Sequence, residues 1–250
     1  MPKIHSSLLL CGILSVLLCS GCRSKEKPNS NLTNMTPTDT TGLTLTLPSP
    51  HTSGNMSLEE ALASRRSRRS FNADSITAEE LSQILWSAYG ITKPANAPRL
   101  GGGLRTAPSA GATYPLNIYV LAGNVTGVPT GFYRFVPDGH KLIKISGKDL
   151  RSDLCIAALN QGMIKDAPAS LFYSATFSRT TSVYGSRGRE RYVCMDLGHS
   201  AENVYLQAEA LHLGTCAIGA FDDHAVKKVM MISDDEAPLY IMPIGRYSHN

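Results

Sequence analysis

The sequence predicts an α+β fold, and three observations carry that prediction. Two capping boxes, Ser57-Leu58-Glu59-Glu60 and Thr77-Ala78-Glu79-Glu80, each open a run with helical spacing. Apolar strand-like runs stand at Asn117–Ala122 and Ala169–Thr176, with a hairpin pattern turned at Asp138-Gly139 between them. Helices and strands then mix without the regular alternation of a doubly wound parallel sheet.

The chain has 250 residues, 42% of them hydrophobic and 18% charged, enough for a core of ordinary size. Residues 1–22 read as an export signal. Lys3 and His5 give a basic start, and Leu8 to Leu18 is an apolar stretch shorter than a membrane span. It closes on Leu18-Cys19-Ser20-Gly21-Cys22, which resembles a bacterial lipoprotein cleavage site with Cys22 as the lipidated residue. An uncleaved anchor is the other reading, and both place the body outside the cytoplasmic membrane, on a periplasmic or outer-surface face. Residues 23–56, rich in Asn, Thr, Ser and Pro, read as a flexible tether in which Leu43–Leu47 alternates like an edge strand.

The body, residues 57–250, starts with the helix capped by Ser57, expected to end near Ser67. Its carboxyl end carries Arg65-Arg66-Ser67-Arg68-Arg69-Ser70-Phe71. Guanidinium groups suit bidentate binding of phosphate, and an extended Ser67–Phe71 lets alternate side chains converge on one anion, with Arg68 expected to face solvent. A solvated basic patch, or contact with anionic lipid near the anchor, explains the same run. Net charge is only +4, much of it from this run, and with one Trp and 7% aromatic residues no nucleic-acid partner is indicated.

The helix capped by Thr77 runs through Leu81, Ile84, Leu85 and Ala88 to Gly90. Thr92 to Ser109, with Gly101-Gly102-Gly103, reads as a long loop. Pro108-Ser109-Ala110-Gly111-Ala112-Thr113-Tyr114-Pro115 leads into the strand at Asn117, its small residues allowing backbone amides to approach a ligand. The hairpin pairs Gly131–Val136 with Lys141–Ile145. Lys148–Asn160 reads as helix, Ser178–Arg189 as a polar loop and Arg191–Leu213 as the longest helix, apolar on more than one face. Thr215–Gly219 is a short strand, Asp222–Met231 a helix and Leu239–Arg246 the last strand. Cys155, Cys194 and Cys216 are widely spaced, without a zinc or disulfide pattern, and are expected to be buried as small hydrophobes.

Three blocks in this order resemble the flavin-dependent nitroreductase family, and more narrowly its SagB-type dehydrogenase branch. They are Arg65–Phe71, then Pro108–Pro115, then Asp196-Leu197-Gly198-His199 with Ile218-Gly219-Ala220-Phe221 and Pro243-Ile244-Gly245-Arg246. The resemblance implies a nitroreductase-like central sheet flanked by helices, with FMN at a homodimer interface. On it, Arg65, Ser67 and Arg69 contact the phosphate and ribityl chain with Arg66 beside them, and Gly245-Arg246 completes the phosphate site. Pro108, Ser109, Ala110 and Gly111 of the other subunit line the ring, Ile218 adjoins the cofactor, and the backbone N–H of Gly219 or Ala220 faces flavin N5.

The flavin carries hydride in such proteins, so no paired carboxylate is required, and none is seen. Tyr114, Tyr184 and Tyr192 are candidates to supply a proton or a ring wall, or are packing residues. The implied activity is ping-pong oxidoreduction between a donor such as NAD(P)H and a small organic acceptor, or azoline oxidation. An exported flavin-binding or ligand-binding lipoprotein without turnover is the alternative, because no pool of reduced nicotinamide is evident outside the membrane.

Overall fold

A computed structural model describes residues 42–97 and 100–247. Residues 1–22, including Cys22, and most of the expected tether lie outside the described residues.

The centre is a seven-stranded antiparallel sheet. Its strands, in chain order, include β1 (Thr44–Thr46), β5 (Leu116–Ala122), β7 (Gly131–Val136), β8 (Lys141–Ser146), β9 (Ala169–Thr176), β10 (Gly214–Thr215) and β11 (Glu236–Gly245). Their spatial order is β1-β8-β7-β5-β9-β11-β10. Four short strands lie apart: β2 (Ile76–Thr77) beside β6 (Val125–Thr126), and β3 (Ile91–Pro94) beside β4 (Gly103–Arg105).

The helices are α1 (Leu58–Ser64), α2 (Ala78–Tyr89), α3 (Arg151–Ala157), α4 (Met163–Asp166), α5 (Ser178–Tyr184), α6 (Val193–Ala210) and α7 (Asp223–Val229). They cover both faces of the sheet. Side chains alternate across a strand, so Ile118, Val120, Leu171 and Tyr173 join Leu85 of α2 and Val204 of α6 in one apolar cluster. Tyr119, Leu121 and Phe172 join Leu154, Ile164 and Val226 of α3, α4 and α7 in the other. Every residue of β5 and β9 is buried, so both read as mainly apolar runs in which Asn117, Ser170, Ser174 and Thr176 are the polar members.

Both capping boxes form. Ser57 Oγ accepts from the Glu60 amide at 3.1 Å while Glu60 accepts from the Ser57 amide at 2.8 Å, and Thr77 with Glu80 repeats the pattern.

Several expectations need correction. The edge strand expected in Leu43–Leu47 forms as β1 beside β8, but the expected tether ends before it: Leu47 is buried, and the His51 amide donates to Gln83 Oε1. Helix α1 stops at Ser64, short of Ser67. The loop expected from Thr92 to Ser109 contains the β3–β4 pair, whose turn is made possible by positive φ at Gly101 to Gly103. The polar segment 178–189 folds as α5 and a π-helical turn at Gly188–Tyr192, anchored by buried Thr180, whose hydroxyl meets Thr113 Oγ1 at 2.8 Å. Cys155 and Cys216 are buried but Cys194 is exposed. Among the described residues no helix is long and apolar enough to cross a membrane.

Candidate active site

The arginine run leaves α1 and becomes extended at Arg65 (φ −50°, ψ 125°). Ser67 forms a parallel bridge with Thr215, and the Arg68 amide donates to the Thr215 carbonyl at 2.9 Å, so the run adds to the sheet beyond β10. An extended chain sends alternate side chains to opposite sides. Arg66 turns back, donating to the carbonyls of Ala63 and Arg65 at 3.0 and 2.8 Å at the negative end of α1. Arg68 is held by Glu209 at 3.1 Å, with its guanidinium 3.7 Å from the centre of the Tyr247 ring. The expectation that Arg68 faces solvent is therefore wrong; of Arg65, Arg66, Arg68 and Arg69 it is the one in an ion pair among the described residues.

Arg65, Ser67 and Arg69 lie beside β10 and the irregular segment after it, where the strand expected at Thr215–Gly219 stops at Thr215. Tyr205, on α6, organises them: its hydroxyl accepts from the Ala217 amide at 2.7 Å and is hydrogen-bonded to Ser67 Oγ at 3.1 Å, while Arg65 sits 5.3 Å from its ring centre. Arg69 is exposed and makes no ion pair among the described residues. Its charge opposes the upward shift that burial gives the Cys216 thiol.

Ile218 exchanges backbone hydrogen bonds with Ile241 at 2.9 and 3.0 Å, which fixes the next two residues at the surface. Gly219 and Ala220 are exposed, and their amides meet no protein acceptor among the described residues. A side chain at Gly219 would sit 3.2 Å from Tyr240. The Ala220 carbonyl is taken by Gln161 at 2.8 Å.

Gly245 and Arg246 have other work. A Cβ at Gly245 would fall 3.0 Å from the Phe71 ring and 2.7 Å from Pro168, so this glycine lets Phe71 pack closely. Arg246 donates to Glu80 Oε1 at 2.8 Å and to the Ser75 carbonyl at 3.3 Å, bracing the start of α2. Its Nε and one Nη2 donor are thereby committed.

The second block is held at the other end of α6. Ser109 Oγ donates to Asp196 Oδ2 at 2.6 Å and accepts from the Tyr114 amide at 3.0 Å, and the Ala110 amide donates to Asp196 Oδ1 at 3.2 Å. Burial raises the pKa of Asp196, and these hydrogen bonds oppose the rise. Gly111, Ala112 and Tyr114 have φ of 59°, 51° and 46°, a concentration of left-handed backbone at one turn. Pro108 and Gly111 are exposed at its tip. Tyr114 is buried instead, its ring edge-on to Tyr89 at 5.9 Å with Arg105 4.8 Å from its centre, which makes it a packing residue in this chain. Tyr184 and Tyr192 pack against each other with ring centres 4.9 Å apart.

Thus the fold brings Arg65, Ser67 and Arg69 to the Thr215–Ala217 segment that leads to Ile218–Ala220, but keeps Pro108–Gly111 of the same chain elsewhere. Asp196 and Tyr205 are nine positions apart on α6, about 14 Å along its axis. Tyr205 was missed in the sequence; its only signal is a polar-tipped residue four positions before Glu209 on a helix that otherwise reads as apolar on several faces.

Residues 62–246 match the model of the nitroreductase family. The chain belongs to that family. It is 45% identical over 189 residues to a protein of Methanocaldococcus jannaschii named as a nitroreductase, covering 76% of this chain and 90% of that one. A solved nitroreductase structure from Ralstonia eutropha matches with a TM-score of 0.70 and 32% identity, over 83% of this chain and 90% of the other. The NADPH:FMN oxidoreductase of Vibrio harveyi, solved with NAD+, shares the fold with a TM-score of 0.53 at 20% identity, over 77% and 70% of the two chains. The nitroreductase fold, a large central sheet flanked by helices, is therefore the fold of this oxidoreductase. Its donors fit FMN: two uncommitted guanidiniums and a hydroxyl suit a phosphate and polyol chain, and the open amides of Gly219 and Ala220 suit the edge of a heteroaromatic ring.

Proposed function

We propose that this nitroreductase is an FMN-dependent oxidoreductase working as a homodimer, turning over by a ping-pong exchange of a reduced donor such as NAD(P)H and a small organic acceptor, a nitroaromatic or quinone. The observation that carries the reading is the Tyr205 hub, which sets Arg65 and Ser67 beside the segment leading to the exposed amides of Gly219 and Ala220. Bound there, FMN supplies the hydride chemistry. Arg65, Ser67 and Arg69 hold the phosphate and ribityl chain, Gly219 and Ala220 donate to the ring, and Arg246 reaches the site only with the part of its fork that Glu80 and Ser75 leave free. Pro108–Gly111 of a second copy cover the ring and exclude water, which the separation of the two half-sites along α6 supports. No side chain is assigned as acid or base.

Within the family, the Pro108–Pro115 and Asp196–His199 blocks support a place in the SagB-type branch, whose azoline oxidation is a further acceptor class to assay. We also propose export and anchoring through Cys22, on the lipoprotein-like segment ending there. Mass analysis of membrane-extracted protein tests the second point: an unmodified Cys22 rejects it.

The central test is purification of the full chain with its chromophore. Release of one FMN per chain, bleaching by NAD(P)H and recovery with a quinone are expected. A yellow protein that no donor reduces indicates a flavin carrier without turnover. A colourless protein that FMN does not reconstitute rejects the assignment.

A further inference from the structure

A second basic cavity lies where the sheet forks. The ladder between β5 and β7 runs only from Tyr119↔Arg134 to Ala122↔Gly131, although β5 begins at Leu116 and β7 continues to Val136. The two strands therefore part at this end, and a cavity of about 180 Å³ opens between them. Three arginines line it: Arg105, Arg134 and Arg179. Arg134 and Arg179 are exposed at its mouth. Arg105 lies deeper, stacked 4.5 Å from the centre of the Tyr89 ring and donating to the carbonyls of Tyr89 and Gly101 at 3.2 Å each.

Two buried polar groups of its lining residues have no acceptor among the described residues. Arg105 Nε is buried without a hydrogen-bond partner among the described residues, and so is the hydroxyl of Tyr89, a residue only 3% exposed. The Leu116 amide lies beside that hydroxyl, and burial raises the phenol pKa well above its usual range, so the group stays a donor. Buried donors without acceptors are rare because each gives up its hydrogen bonds to water without replacement. Arg179 also repels Arg105 across the cavity, adding to the downward pull that burial exerts on the Arg105 pKa. One acid, Asp138, lines the cavity against three guanidiniums.

We propose that this fork binds a compact oxyanion, the carboxylate or phosphate group of a small ligand, between Arg105, Arg134 and Arg179. An anion here lies among the three guanidiniums and relieves the repulsion between them. The volume selects for size, since sites for drug-sized ligands run to about 300–1,000 Å³. The site is separate from the Arg65–Ser67–Arg69 cluster and does not depend on the flavin reading.

The test is calorimetric titration of the full chain, as purified, with inorganic phosphate and with succinate at constant ionic strength. Saturable binding of at least one of them is expected, and the tighter of the two identifies the preferred oxyanion. Arg134→Gln and Arg179→Gln should each weaken it about tenfold or more, while Arg69→Ala leaves it unchanged. Arg179 gives up a hydrogen bond to the Tyr114 carbonyl, so Arg134→Gln, which breaks no contact of that kind, decides the matter if the other variant fails to fold. Absence of saturable binding by both anions overturns the proposal. So does binding that Arg69→Ala removes and Arg134→Gln leaves intact, which would locate the anion at the flavin phosphate cluster.

Discussion

At its N-terminal end α6 meets the Ser109–Tyr114 turn through one buried carboxylate; nine positions later it meets the arginine segment through one phenol. The first contact is closed. Asp196 is 2% exposed, both its oxygens accept hydrogen bonds, and the turn it holds carries positive φ at Gly111, Ala112 and Tyr114. The second is open. Tyr205 fixes the backbone of the segment through Ser67 and Ala217, yet Arg69 and the amides of Gly219 and Ala220 are left with no protein partner among the described residues. One end of the helix spends its polar groups on shape. The other holds a scaffold still and keeps its donors for a ligand.

Asp196→Ala should break the closed end and give the largest loss of stability. It leaves Ser109 Oγ and the Ala110 amide without their acceptor, and two bonds to an ionised group are worth about 3 kcal/mol together. Urea denaturation measures this directly, and a loss under about 1 kcal/mol would mean that the turn holds itself. The open end should respond in the opposite manner. Arg65→Ala with Arg69→Ala is expected to weaken FMN retention about 100-fold while leaving the denaturation midpoint little changed, since Arg69 is exposed and the half-buried Arg65 guanidinium contributes only its contact with the Tyr205 ring among the described residues. Equal loss of stability and flavin would erase the distinction between the two ends.

How far the sequence revealed this contrast depended on whether the signal was local. The capping boxes at Ser57 and Thr77 are local, and both form as read. The buried strands β5 and β9 were legible because a mainly apolar run needs no partner to be recognised. Helix α5 was not, because its β-branched residues Thr180, Thr181 and Val183 are weak helix formers and no side chain caps it. Thr180 is held by Thr113, 67 positions earlier, a contact no local pattern announces. The site divides the same way. The alternation of Arg65, Ser67 and Arg69 follows from extended backbone, whereas the pairing of Arg68 with Glu209 and of Arg246 with Glu80 depends on residues 141 and 166 positions away.

Tyr205→Phe sharpens the comparison at smaller scale. It removes the acceptor of the Ala217 amide and the partner of Ser67 Oγ but keeps the ring beneath Arg65. A stability loss of about 1 kcal/mol is expected, with a FMN affinity reduced several-fold through looser placement of Ser67 rather than through lost charge. Raised salt separates the two causes. Screening weakens FMN binding by the parent protein and by Tyr205→Phe in the same proportion, while the Arg65→Ala, Arg69→Ala double variant loses most of its salt dependence.

The smallest effect expected is one of pH, and it belongs to the closed end alone. Burial raises the pKa of Asp196 in the folded chain above the ordinary aspartate value of 3.8. Below that value the carboxyl is protonated in both folded and unfolded chains, and its contribution to stability is fully present. As pH rises, the unfolded chain releases the proton first, so this contribution declines until the folded pKa is passed and then stays level. Asp149 pulls the other way: Arg151 holds its pKa down, so its stabilisation is present above 3.8 and is lost as pH falls through its lowered folded value. The measured slope of the parent protein is therefore a sum of opposed terms. Subtracting the denaturation free energies of Asp196→Asn, pH by pH, isolates the Asp196 part, because the amide does not titrate. That difference should fall in favour of the variant as pH rises from 3.8, and Tyr205→Phe subtracted in the same way should give a flat line over the same window. A difference that climbs with pH would mean that the bonds from Ser109 and Ala110 outweigh burial and hold Asp196 ionised, making the closed end a charge-stabilised turn.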